Sequence, residues 1–292
     1  MMDNFYYRLN QTHKNLDNDD YIKKTTEIMD EVYKDQKTKE TLLVVGAGNL
    51  SDIDLDYLLS IFKSVWLSDI DGSSIKQALG DKLEQPGIVV KEIDYIGIEE
   101  TNFYGDFDKL LEFKEYGEVA KFFDNKMTQM RAYQFSNQLD GTFDSIYITP
   151  IYTQLFYREV EVKLTALVEK GLSPAYKNKI LPVLFQSMVE IIDRFNEGIV
   201  ELVEKNGTVF VGSDVFSLGK DAFSKKVKEA ISDFKRMEAV HTDYQNEYGF
   251  GLGDYGLYSL SEKLTKLDEQ WLLWGKDEDT AYAVKFSALK KQ

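Results

Sequence analysis

The stretch "TLLVVGAGNL" (Thr41 to Leu50) runs an unbroken apolar segment into two glycines one residue apart, Gly46 and Gly48. Such a segment suits a strand buried on both faces, as parallel sheets require. A glycine, lacking Cβ, permits a tight turn and lets backbone come close to a ligand. A carboxylate follows about 20 residues beyond the turn, at Asp69 in "SVWLSDID", and that spacing lets an acid at the next strand end accept both hydroxyls of a ribose. Gly46, Ala47, Gly48 and Asn49 with Asp69 are therefore candidates for holding a nucleoside-containing cofactor. Asp71 ends the same strand two residues on, on the same face of a regular strand, and the residues alone leave both open.

Other candidates carry less. His241 stands in "AVHTDYQNEYGFGLGDYGLYSL", where an imidazole that titrates near neutrality could act as a general base. The plainer reading makes it a hydrogen-bonded residue near a helix end. Asp254 and Tyr255 share that stretch, and Gly249, Gly251, Gly253 and Gly256 suggest a mobile loop. Tyr152, in "FDSIYITPIY", reads as pocket wall beside a strand-ending Pro150. The sequence has no Cys and two His, which removes thiolate nucleophiles and Cys-ligated zinc, so no metal site is expected.

A formal charge of −15 repels phosphate backbones and anionic lipid surfaces, and no Lys/Arg cluster stands clear of acidic neighbours; nucleic acid is not the expected partner. No apolar stretch approaches the roughly 20 residues of a membrane span. The expectation is a cytoplasmic protein acting on a small molecule or peptide; nothing in the chain speaks to its oligomeric state.

The elements that would position these residues follow in order. A polar N-terminal segment, helical over Tyr21 to Lys34, precedes the strand Thr41 to Val45. Ser51 or Asp52 can then cap a helix carrying Leu55, Leu58, Leu59 and Phe62 on one face. Further strands are expected over Ser64 to Asp71, Gly87 to Ile96, Phe143 to Tyr152 and Gly207 to Phe216. Two long helical stretches break near Gly171 to Pro174, a helix covers Lys225 to Met237, and a hairpin with a short polar turn closes the chain. Alternating strands and helices imply an α/β fold, three layers with a mainly parallel seven-stranded sheet and one antiparallel strand from the hairpin. The division expected is a helical extension or lid over residues 1–38, with Phe5, Tyr6, Tyr7, Tyr21 and Tyr33 as its aromatics. The α/β domain would span 39–292, with helical insertions at about 98–142 and 156–205.

In these residues the chain resembles a class I (Rossmann-like) S-adenosylmethionine-dependent methyltransferase. "LLVVGAGNL" resembles the first motif and "VWLSDIDGSSIKQA" the second strand and helix; the resemblance implies that Asp69 holds the ribose and Ile70 lies against adenine. "KEIDYI" resembles the third motif, implying Asp94 near the adenine amino group with Tyr95 beside it. "FDSIYITPIY" resembles the fourth strand, whose end faces the transferred methyl, and so adds Thr149 to the cofactor site. The activity implied is in-line methyl transfer, which asks the protein to align donor and acceptor and exclude water. The chain departs from the family at Val44, where an acid for the methionine amino group often stands, and at Leu50, which replaces a third glycine; Asn49 or backbone carbonyls would then hold the amino-acid end. Two other readings are a nucleoside-binding regulatory protein without catalysis and an NAD-dependent oxidoreductase. The missing third glycine and the terminal hairpin speak against the oxidoreductase.

Overall fold

A computed structural model describes residues 7, 10, 18–34, 39–112, 118–275 and 281–292. Phe5, Tyr6, the expected boundary at 38 and the turn of the terminal hairpin lie outside the described residues.

Seven strands form one sheet: β1 (Lys39–Val45), β2 (Phe62–Asp69), β3 (Ile88–Glu92), β4 (Phe143–Ile148), β5 (Val203–Leu218), β6 (Thr265–Gly275) and β7 (Ala281–Lys290). Their order is β3-β2-β1-β4-β5-β7-β6. The first five run parallel, and β7 pairs antiparallel with both β5 and β6. The chain reverses its direction of travel across the sheet between β1 and β4, which makes their carboxyl ends the topological switch point.

Side-chain alternation divides the core. Leu43 and Val45 with Ile146 and Ile148 face one layer, while Leu42 and Val44 with Tyr147 and Phe210 face the other. On the second face lie α1 (Asp19–Tyr33), α2 (Leu55–Ile61) and α3 (Gly72–Leu79). The first face is covered by α4 (Phe103–Glu112), α5 (Val119–Ala132), α6 (Tyr157–Glu169), α7 (Pro174–Leu202) and α10 (Leu252–Ser261). A smaller cluster joins α8 (Ala222–Ala230) and α9 (Phe234–Tyr248) to the far ends of β5 and β6. No described helix is long and apolar enough to cross a membrane.

Local chemistry moved several boundaries. The helix after the glycine turn is capped by Asp54, whose side chain accepts from Tyr57 N, and not by Ser51 or Asp52. Leu50 adopts a φ of 61° and prolongs the turn first. Phe62 opens β2 instead of closing the helix. The single helix expected over 225–237 is two, because Asp233 caps a new start. The glycine-rich stretch expected as a loop contains α10. There Gly253 and Gly256 are contact points: a Cβ on Gly256 would stand 2.4 Å from the Tyr152 ring, and one on Gly253 2.5 Å from Asp214 O.

Candidate functional site

The glycine turn is built by hydrogen bonds from the neighbouring strand. Gly46 N and Ala47 N both donate to Ser68 O, at 3.0 and 2.9 Å. Gly48 N donates to Asp69 Oδ2 at 2.9 Å. Both glycines hold positive φ, 79° and 51°, so each needs glycine for backbone reasons alone. Their bare faces are also filled from within: a Cβ on Gly46 would meet Ile151 Cγ2 at 2.2 Å and Thr149 Oγ1 at 2.6 Å, and one on Gly48 would meet Asn10 Oδ1 at 2.9 Å. The Cβ side of each glycine thus accommodates the protein's own residues.

Asp69 and Asp71 divide the work. Asp71 N-caps α3, accepting from the Ser74 backbone N–H and from the Ser73 and Ser74 hydroxyls. Those bonds hold its carboxyl below the ordinary value against a desolvation that works to raise it. Asp69 lines a cleft at the carboxyl ends of β1, β2 and β4. Each Asp69 oxygen accepts one backbone bond, Oδ1 from Asp71 N and Oδ2 from Gly48 N. A carboxylate has about four acceptor positions, so one remains on each oxygen, enough for a pair of vicinal hydroxyls. Burial pushes the Asp69 carboxyl up to about 6, with the bonds from the Asp71 and Gly48 N–H groups limiting the rise and the Asp71 charge adding to it.

The rest of the cleft is Gly46, Ile70, Asp94, Tyr95 and Ile96 from the β1 to β3 ends, with Ile151, Gln154 and Leu155 after β4. Asp94 closes its own turn, accepting from Ile96, Gly97 and Glu99 N–H groups. Tyr95 supports the turn from below. Its hydroxyl accepts from Gly46 N at 3.1 Å and lies 2.8 Å from Ser68 Oγ, which donates to Val44 O at 2.8 Å. With that proton spent on Val44, the Tyr95 hydroxyl is the donor to Ser68. Its ring meets Phe135 and Phe195 edge-on, and burial drives the phenol pKa well above its ordinary value. Beyond Tyr95 and Ile96 a second cavity lies between α5 and α7, walled by Met127, Met130 and Ile191, with the Arg131–Glu190 ion pair (3.0 Å) among its residues.

Several expected residues stand elsewhere. Ala47 is buried in the α1-side core. Asn49 spends both ends of its amide locally, donating to Asn10 O and accepting from Ser51 N. Thr149 is buried and donates to Gly46 O at 2.7 Å, fastening β4 to the turn. Tyr152, expected as pocket wall, is instead inside the core, donating to Asn196 Oδ1 at 3.0 Å. Asn196 donates on to Gly256 O, so α7 and α10 are tied through it. His241 bonds Asp254 at 2.6 Å in the separate cluster with Phe216 and Trp271, and lines neither cavity. Sequence reading missed Ser68, Tyr95's hold on Gly46, and the cleft residues Ile96, Ile151, Gln154 and Leu155. Only Ser68, a polar residue before the acid of an apolar strand, carried a local signal.

No protein-family model matches the chain, and no curated protein does. Among solved structures it is similar to the N-methyltransferase NodS of Bradyrhizobium japonicum WM9 in complex with S-adenosyl-L-homocysteine, at 12% identity and TM-score 0.48 over 99% of each chain. It is similar also to a SAM-dependent methyltransferase of Methanosarcina mazei, at 9% identity and TM-score 0.44, over 89% of this chain and 96% of that one. TrmN of Thermus thermophilus, at 9% identity and TM-score 0.42, is matched over 91% of this chain and 48% of its own. The sheet, in order β3-β2-β1-β4-β5-β7-β6 with β7 antiparallel, has the Rossmann-like, mainly parallel architecture with an antiparallel C-terminal hairpin that the sequence resemblance implied.

Proposed function

We propose that the protein is an S-adenosylmethionine-dependent methyltransferase acting on a small molecule or peptide. The observation that carries the reading is Asp69: a carboxylate at the switch point of this particular sheet, with one acceptor position left on each oxygen, facing a cleft. The residues present fit the nucleoside. Asp69 would take the ribose hydroxyls, and Ile70 and Ile96 offer apolar surface for the base. Asp94, whose oxygens keep acceptor capacity beyond their turn bonds, would take the adenine amino group. When bound, the cofactor supplies an activated methyl group. The chain's own part is to orient it, with Gly46, Ile151 and Gln154 at the β1 and β4 ends, and to exclude water around it. No side chain in the cleft is assigned as a base. Tyr152 and His241, the earlier candidates, do not line the cleft, and methyl transfer needs a base only when the acceptor arrives protonated.

The test is transfer of a radiolabelled methyl group from S-adenosylmethionine into small-molecule and peptide fractions of an extract. Label in one fraction, lost with Asp69→Ala, is the expected result. Cofactor binding with no label in any fraction would favour a non-catalytic regulatory protein. NAD binding in its place would favour an oxidoreductase.

A further inference from the structure

The junction of α9 and α10 carries three aromatic rings that the core does not use. Tyr248, Phe250 and Tyr258 are 67%, 56% and 53% exposed, more than any other large hydrophobic side chain among the described residues. One exposed ring is ordinary, but several so close along the chain mark a surface that meets a partner. The connection that presents them is built, not slack. Gly249 N closes α9 on Gln245 O at 2.8 Å, and Gly249 takes a φ of 82° to redirect the chain. Asp254 pins the start of α10, one oxygen accepting from Gly251 N at 3.3 Å while the other bonds His241 at 2.6 Å. Phe250 stands between these fixed points and packs beside Tyr258, ring centroids 6.4 Å apart. Tyr255, one helical turn before Tyr258, is held by its hydroxyl donating to Asp193 Oδ2 at 2.8 Å. A partner therefore meets rings already in place, which lowers the entropy lost on docking.

Charge selects what covers them. Between Arg236 and Lys263 the chain has no Lys or Arg, but it has the acids Glu238, Asp243, Glu247, Asp254 and Glu262. Glu238 and Asp243 pair with Lys285 and Lys226, at 2.9 and 3.8 Å. Glu247 and Glu262 are exposed and form no ion pair among the described residues. Glu247 adjoins Tyr248, and Glu262 follows Tyr258 by one helical turn, its N–H donating to Tyr258 O at 3.1 Å. Such a face repels nucleic acid and anionic lipid. Two copies meeting through it by a two-fold axis would set carboxylate against carboxylate. A guanidinium suits it, because that planar cation stacks on aromatic rings and forks onto carboxylates.

We propose that this face docks a basic peptide segment, its arginine side chains lying on the Phe250 and Tyr258 rings and against Glu262. None of these residues lines the cleft or the second cavity, so the proposal does not rest on the cofactor.

The test is fluorescence anisotropy with a labelled peptide of alternating Arg and Gly, against a control of alternating Glu and Gly. Micromolar binding of the Arg peptide alone is expected. Phe250→Ser combined with Tyr258→Ser should weaken it at least fivefold, and Glu262→Gln at least threefold. Phe250→Tyr combined with Tyr258→Phe, which keeps both rings, should stay within twofold of wild type. The exposed rings leave the serine variant expected to melt as wild type does; if it does not fold, Glu262→Lys replaces it, with at least a fivefold loss. No binding of the Arg peptide would overturn the proposal. Equal binding by wild type and the serine variant would overturn it too, showing attraction only to the net charge of −15. Self-association of the wild type in light scattering, lost in the serine variant, would give the face to a second copy and overturn it as well.

Discussion

At the scale of single residues, two aspartates two positions apart do different jobs because their surroundings differ. Asp71 is saturated by the start of α3, whereas Asp69 keeps acceptor positions toward the cleft. Asp71→Ala is therefore expected to cost about 1 kcal/mol of stability through the lost cap, read as a lower melting temperature, with nucleoside affinity nearly unchanged. The family resemblance favoured Asp69, but the cap on Asp71 depends on Ser73 and Ser74 turning back toward it. Gly46 marks the limit of such reading. Its left-handed φ and the crowding by Ile151 and Thr149 come from a strand about a hundred residues away along the chain, and nothing local announces that. Gly46→Ala is expected to destabilise by about 2–4 kcal/mol, measured by chemical denaturation.

The raised carboxyls of Asp52 and Asp69, at about 7 and about 6, set a pH dependence for the ligand-free protein. In the unfolded chain both release their protons near the ordinary value of 3.8. Between that pH and 6 to 7 the folded state holds more protons, so raising the pH lowers stability. Carboxyls held below their ordinary values, such as Asp71 and Glu238, act only at lower pH. For these two groups, stability is expected to fall between pH 5.5 and 8. Thermal melts should show a smaller drop for Asp52→Asn than for wild type.

At the scale of elements, periodicity and strand order were legible because apolar alternation is local. Element ends were not, since caps such as Asp54 and Asp233 compete with equally good neighbours. The stretch around Gly249 to Gly256 shows the physical reason most clearly. Glycine lowers helix propensity by about 1 kcal/mol each, which favours a loop, yet α10 forms because its glycines let it press onto Tyr152 and β5. Asp193 and Asn196 of α7 then clamp it through Tyr255, Ser259 and the Gly256 carbonyl. Gly256→Ala should force the Tyr152 ring aside and cost about 1–3 kcal/mol, visible as a lower melting temperature. His241 belongs to a different cluster, so His241→Asn is expected to lower stability through its lost bond to Asp254 while S-adenosylhomocysteine affinity stays within twofold. A large loss of affinity would show that the far cluster reaches the cleft.

At the scale of the whole molecule, the sheet order places Asp69 at the switch point. Reversal of the order between β1 and β4 opens the cleft, and the antiparallel β7 sets this sheet apart from one whose strands all run parallel. The succession of strands and helices and the closing antiparallel hairpin were legible in the sequence, whereas the order of the strands across the sheet comes from the structure. The residues that line the cleft were legible only where they follow a glycine turn or end a strand. Ile96, Ile151, Gln154 and Leu155 reach it from loops whose paths depend on packing far along the chain. The most direct measurement is calorimetric titration of S-adenosylhomocysteine into wild type and Asp69→Ala, with NAD as the control. Micromolar affinity, reduced at least tenfold (about 1.4 kcal/mol) by the substitution, with no heat from NAD, is the expected result. No binding of S-adenosylhomocysteine to the wild-type protein would contradict the assignment of this cleft.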